Sequence, residues 1–205
     1  FRHCDFHLGA RYRWARLGIG NLPTEIASAS HFRERFYTER PVTPRQMARL
    51  YESLLDQCEE NGYPFAMVRL DSLRPTDDGL HAAIHLDKGS LTRIDSIVVK
   101  GDARISARYL YSHIGIKPGD LYNETLMAAL DKRLRELPFI LMKQRPYVRF
   151  SPDQTKVFLF LDAKKASSFN GILGVLRDPV SGKVKLTGDL DLRLRNALKR
   201  GEAID

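Results

Sequence analysis

The chain has 205 residues, 33 Lys+Arg against 25 Asp+Glu, a net charge of +8 and 43% hydrophobic residues. That leaves room for one large domain or two small ones, at roughly 100–200 residues each, and the apolar share excludes wholesale disorder. No run of about 18 apolar residues occurs, so a spanning helix is excluded; the two cysteines, Cys4 and Cys58, are too few for a disulfide scaffold or a structural zinc site.

The charge is unevenly placed. Residues 1–40 hold seven Arg against four acids, residues 183–200 hold six Lys/Arg against two, and the middle is nearly balanced. No block of five or six basic residues occurs, so the pattern reads as a solvated basic surface before it reads as a nucleic-acid footprint. The chain opens on Phe1 with no basic stretch and apolar core behind it, and its start is expected to be a processed or cut one.

In chain order, Arg11 to Ile19 reads as a strand and Gly20-Asn21 as a turn. Leu22 to Phe36 suggests a short, irregular helix. Thr43-Pro44-Arg45-Gln46 marks a helix start, with Thr43 capping, Pro44 in the first turn and Gln46 closing a capping box. Met47, Leu50, Leu54, Leu55 and Cys58 then fall on one helical face, and Asn61-Gly62 ends the helix. Phe65 to Leu73 and Leu80 to Leu86 form a hairpin around Asp77-Asp78-Gly79.

The same order returns. Leu91 to Val99 is a strand, Gly101-Asp102 a turn, and Ile105 to Ile114 a helix ended by Gly115. Asn123 caps a helix whose face is Leu126, Leu130, Leu134 and Leu137. Ile140 to Phe150 and Lys156 to Leu161 make a hairpin around Pro152-Asp153. The anchoring leucines Leu8, Leu86 and Leu161 are 78 and 75 residues apart, which signals an internal repeat. Each repeat is strand, helix, helix, strand, strand, with a helix pair on one face of a small mixed sheet, an α+β arrangement. Residues 1–8 are expected to be the last strand of a preceding unit.

Past Lys164-Lys165 the pattern changes. Ser168 to Leu176 and Val184 to Leu194 alternate apolar and polar residues, joined by Asp178-Pro179-Val180-Ser181-Gly182. The second stretch is 11 residues long. Soluble strands usually run about 5–6 residues, and membrane-spanning strands about 9–11. The hairpin is either the edge of a soluble sandwich or the opening pair of a transmembrane barrel.

Asn61-Gly62-Tyr63-Pro64-Phe65-Ala66, Gly115-Ile116-Lys117-Pro118-Gly119-Asp120-Leu121-Tyr122-Asn123, and Lys164-Lys165 ahead of Phe169-Asn170-Gly171-Ile172-Leu173-Gly174 carry a resemblance. Together with the repeat order, they resemble outer-membrane assembly factors of the BamA and TamA type, whose periplasmic units are POTRA domains. The first repeat departs from the family's pattern, having Pro41-Val42-Thr43-Pro44 where a G-D-x-Y loop is usual. The barrel loop with the family's Arg-Gly-aromatic motif does not occur in the chain.

The resemblance implies residues 1–8 as the last strand of one POTRA domain, 9–89 as a second, 90–165 as the barrel-proximal one, and 166–205 as the first hairpin of an antiparallel transmembrane β-barrel. It implies a periplasmic arm of an outer-membrane protein assembly or translocation factor, located in the outer membrane with this region mainly periplasmic. Such an arm would bind unfolded outer-membrane proteins by adding their strands to a sheet edge. In this fold the second strand of each unit is the family's exposed edge. That places the binding residues at Ala66, Met67, Val68, Arg69 and Leu70, and at Tyr147, Val148, Arg149 and Phe150. Pro146 fits an edge, since proline is disfavoured in central strands. Further partners implied are periplasmic or lipoprotein accessory proteins and outer-membrane lipid through the barrel. The alternatives are a passenger-secretion channel of the same superfamily, and a POTRA scaffold that docks partners without handling clients.

Other chemistry finds no constellation. His81 and His85 share a strand face without further ligands in the pattern. Gly18-x-Gly20 lacks the third glycine of a dinucleotide loop, and Asp189 and Asp191 read as lumen-facing rather than catalytic. A Cys4–Cys58 disulfide is an open alternative in an oxidising compartment. Trp14 between Arg13 and Arg16 is the one local hint of nucleic-acid binding. No enzyme, no cofactor, no metal and no nucleic acid are expected. The charge at Lys183, Lys185, Arg193, Arg195, Lys199 and Arg200 is expected at a barrel lumen and rim near anionic lipid.

Overall fold

A computed structural model describes residues 12–164 in full and, by backbone alone, the strands at 168–177, 184–195 and 203–204. The chain divides into two compact units. One is Phe1–Arg93 with Leu121–Glu124, the other Ile94–Asp120 with Thr125–Asp205.

In the first unit, β1 (Trp14–Gly18) leads through α1 (Thr24–Ala29) and a single 3-10 turn at Glu34–Phe36 to α2 (Pro44–Glu59). The expected irregular helix over Leu22 to Phe36 is these two short pieces, separated where His31 takes a left-handed φ of 57°. The α2 start follows its sequence: the Thr43 hydroxyl accepts from the Gln46 amide at 3.3 Å, and Pro44 occupies the first turn. Met47, Leu50, Leu54 and Cys58 are buried on its inner face. The hairpin of β2 (Met67–Thr76) and β3 (Gly79–Asp87) follows, and the sheet order is β1-β3-β2. β3 is parallel to β1 and antiparallel to β2. Ala82, Ile84 and Leu86 of β3 turn inward, as strand alternation requires. They meet Trp14, Leu17, Leu54 and Cys58 in one core. Burying a side chain such as Leu54 or Ile84 contributes about 1.5–3 kcal/mol.

The second unit repeats this order with β4 (Ser96–Lys100), α3 (Ala107–Ile114), α4 (Glu124–Arg135, whose first residue is grouped with the first unit), β5 (Ile140–Phe150) and β6 (Thr155–Ala163). Its sheet order is β4-β6-β5, again with one parallel and one antiparallel pairing. α3 is capped by the Ser106 hydroxyl at the Tyr109 amide and closed by left-handed Gly115. Val157, Leu159 and Leu161 of β6 pack against Leu110, Ile114, Leu130 and Leu134.

The expected strand over Leu91 to Val99 begins only at Ser96. The residues ahead of it are committed elsewhere: Thr92 N–H donates to the Gly62 carbonyl and Ile94 N–H to the Asp120 carbonyl. Backbone groups satisfied by loops in this way are withdrawn from the sheet ladder.

Each unit carries a turn after its first strand that reaches the central strand. Gly20 (φ 58°) lies so close to β3 that an added Cβ would sit 1.9 Å from the Ile84 carbonyl oxygen. Gly101 (φ 112°) stands in the same relation to the Leu161 carbonyl, at 2.3 Å. Both positions therefore demand glycine for conformation and for space.

Beyond the second sheet, β7 (Ser168–Arg177) pairs antiparallel with β8 (Val184–Arg195) from Ser168↔Arg193 to Arg177↔Val184, and β8 meets β9 (Ala203–Ile204). The expected turn at 178–182, the expected strand at residues 1–8, and Cys4, His3 and His7 lie outside the described residues.

Candidate functional site

In a three-stranded sheet of order β1-β3-β2, the outer strands offer backbone groups on one side. The two edges of the first sheet are not equivalent. The outer side of β1 is occupied at its start: Trp14 N–H donates to the Arg40 carbonyl at 2.9 Å, Glu39 N–H to the Trp14 carbonyl at 2.7 Å, and Val42 N–H to the Tyr12 carbonyl at 2.9 Å. β2 is ten residues long and, among the described residues, pairs only with β3. Its Met67, Arg69 and Asp71–Thr76 are exposed.

The β2 edge is interrupted. The register with β3 shifts between Asp71 and Arg74, and Ser72 there has a φ of 55°. A bulge of this kind twists an edge and breaks its ladder. The unbroken stretch is Met67 to Asp71, against Asp87 to Ala83. Of the expected site residues, Met67, Val68, Arg69 and Leu70 lie on it, and Ala66 lies just before the strand. Val68 and Leu70 are half-buried against the core, while Met67 and Arg69 face out. Arg69 reaches along its own face to Asp71 at 3.4 Å.

β5 forms the corresponding edge of the second sheet, with irregular register between Met142 and Tyr147 around Pro146. Its longest unbroken stretch, Tyr147 to Phe150 against Phe158 to Thr155, holds all four expected residues. The Tyr147 ring is 43% exposed and stacks on Phe158 and Phe160 of β6, with centroids 5.1 and 5.9 Å apart. At the far end of β5, Lys143 Nζ meets Asp162 Oδ2 at 2.5 Å, and this ammonium holds the Asp162 carboxyl below its usual range. The opposite edge, β4, is only five residues long.

Two interruptions escaped the sequence reading. Ser72 is a non-glycine residue in a left-handed conformation inside a strand, and nothing in its neighbours signals that. The shielding of β1 by residues 39–42 joins segments some distance apart in sequence, although Pro41 marks a break in helical pattern. The nucleic-acid hint fails on burial: Trp14 is 1% exposed and its indole N–H is enclosed without a partner among the described residues, so no base can stack on it. Among the described residues, no group of three metal-ligating side chains occurs. Cys58 is buried with a free thiol, and burial pushes that thiol up from its ordinary pKa. Among the described residues, no helix is long and apolar enough to cross a membrane.

Residues 92–162 match the POTRA family, described as the surface antigen variable number repeat. This segment is similar to POTRA domains. Its boundaries run from just before β4 to the end of β6, the second strand–helix–helix–strand–strand unit. The chain as a whole is similar in fold to BamA from Haemophilus ducreyi lacking POTRA domains 1–3, at 15% identity and a TM-score of 0.57, over 92% of this chain and 36% of that one. CdiB from Acinetobacter baumannii is also similar, at 13% identity and a TM-score of 0.49, over 98% of this chain and 38% of that one. The chain thus spans about a third of the length of these structures. No curated protein matches it in sequence. With two small three-stranded sheets, each backed by helices, the chain has an α+β, POTRA-like architecture. The first unit has the same element order as the matched POTRA domain.

Proposed function

We propose that this chain is part of the periplasmic arm of an outer-membrane protein assembly or translocation factor, and that β2 and β5 receive extended clients by strand addition. The observation that carries the reading is the pair of edges at equivalent places in two successive repeats, each joined on one side only among the described residues. Backbone pairing tolerates many sequences, which suits a receptor for many clients. The bulges confine the pairing surface to Met67–Asp71 and Tyr147–Phe150, short enough to blunt self-association. In the same reading, residues 9–89 and 90–165 are successive POTRA domains, and the β7–β8 hairpin opens a transmembrane barrel.

The test is crosslinking from a photoreactive residue at position 69 or 149 while an outer-membrane protein is being assembled. Client adducts at these positions, absent when the photoreactive residue is moved to the helix face at Ala48 or Ala128, support the reading. Equal yields at all four positions contradict it.

A further inference from the structure

The helices of the first unit border a cavity of about 520 Å³ whose lining includes Arg40, Arg45 and Arg49 together with Tyr37, Leu50 and Ser53. Its volume is in the range of sites that hold small ligands or side chains, about 300–1,000 Å³. Among the described residues, no carboxylate lines it. None of the three guanidinium groups has an ion pair or hydrogen-bond partner among the described residues, although Arg16, Arg69 and Arg135 all do. Three unpaired cations around one concavity repel each other and raise its positive potential.

The placement opposes what stability alone favours. α2 has Arg45 and Arg49 near its start and Asp56 and Glu59 near its end. Helices are stabilised by the reverse order. The repeat-equivalent α4 has that favourable order, with Glu124 first and Lys132, Arg133 and Arg135 last. The arginines of α2 therefore work against their own helix, and an anion in the cavity would offset both the dipole and their mutual repulsion.

We propose that this cavity is a docking site for an acidic segment of a partner protein, with the three arginines taking its carboxylates. The Gln46 amide is already taken by the Thr43 hydroxyl, so the recognition falls to side-chain forks, which match carboxylates and phosphates alike. One observation favours carboxylates on a peptide over an isolated phosphate. Tyr37 and Leu50 give the cavity an apolar wall beside its charge, which suits the aliphatic stems of glutamate and its neighbours. The site is separate from the β2 edge and does not depend on strand addition.

The experiment titrates the full chain with a fluorescent peptide of alternating Glu and Leu, with its Gln-for-Glu counterpart as control. Binding should weaken with salt, as expected for exposed charge pairs, and the Gln peptide should not bind. R45E/R49E should weaken binding at least about tenfold, whereas R108E, on the second unit, should leave it unchanged. Arg45→Lys should recover only part of the affinity, because the charge stays and the fork is lost. Trp14 is the one tryptophan in the chain and lies in this unit's core, so an unchanged emission maximum shows that the variants fold. Undiminished binding by R45E/R49E overturns the proposal. So does an arginine-dependent response to inorganic phosphate or to phosphatidylglycerol vesicles with none to the peptide.

Discussion

Asn21 grips Leu86 with both ends of its carboxamide: Nδ2 donates to the Leu86 carbonyl at 2.9 Å, and the Leu86 N–H donates to Oδ1 at 2.8 Å. A side chain here does what a further residue of β1 would do for β3. The pair holds the central strand at the end nearest the Met67–Asp71 edge, since Leu86 is the register partner of Val68. The second unit has a related clasp, in which Asp102 Oδ1 accepts from the Ala163 amide at 2.8 Å.

Replacing Asn21 by Ala leaves two part-buried backbone groups without these partners. The expected loss is about 1–3 kcal/mol, read by urea unfolding followed on Trp14. Asn21→Asp keeps the acceptor for the Leu86 N–H but sets a carboxylate oxygen against the Leu86 carbonyl, so it should not recover the loss.

The neighbouring glycine is a sharper test. Gly20→Ala places a Cβ against the Ile84 carbonyl in a left-handed conformation, and should cost about 3 kcal/mol or more. Gly119→Ala is the comparison. Its φ is 93°, yet an added Cβ meets nothing within 4 Å, so only backbone strain of about 1–2 kcal/mol applies. Equal losses in chemical denaturation would remove the steric part of the argument.

Acid and neutral pH should act in opposite directions on two carboxylates. Burial, and then the charges of Glu124 and Asp56, push the Glu59 carboxyl above its ordinary 4.5. Its contribution is therefore fully present below pH 4.5 and is lost as pH rises through the higher folded value. Glu59→Gln should raise the melting temperature at pH 7 and lose that advantage in acid. For Asp162, the Lys143 ammonium lowers the folded value below 3.8. Its contribution is present above pH 3.8 and disappears as pH falls through the folded value. Asp162→Asn should therefore destabilise the second unit at pH 7 and make little difference in strong acid.

Tyr147→Ala removes the ring stacked on Phe158 and Phe160. Aromatic pairs add about 0.5–1.5 kcal/mol, and the exposure of Tyr147 favours the low end. Thermal unfolding of the second unit should show a small loss, and a value above that range would mean that Tyr147 also fixes the bulged register of β5.

Local pattern carried much of the fold. The i, i+3, i+7 spacing from Met47 to Cys58 and the alternation from Leu80 to Leu86 are consequences of one buried face, so the sequence displays them directly. Thr43 and Gly115 worked as end signals because capping is local. Asn21 and Gly101 looked like turn residues only, because their partners Leu86 and Leu161 are about 60 residues away. The start of β4 shifted for the same reason: Thr92 and Ile94 are held by Gly62 and Asp120. The edge strands were reached through family resemblance, with Pro146 in β5 the one residue read as fitting an edge. The bulge at Ser72 and the unpaired arginines of α2 become visible only in three dimensions.

The central claim is that a client adds a backbone strand to β2 and β5. The most direct measurement is residue-resolved amide hydrogen exchange of the full chain, with and without an unfolded strand-forming segment of an outer-membrane protein. The account predicts slowed exchange at alternating amides within Met67–Asp71 and Tyr147–Phe150, because only alternate residues on an edge point outward. Binding that leaves exchange along both stretches unchanged would contradict it.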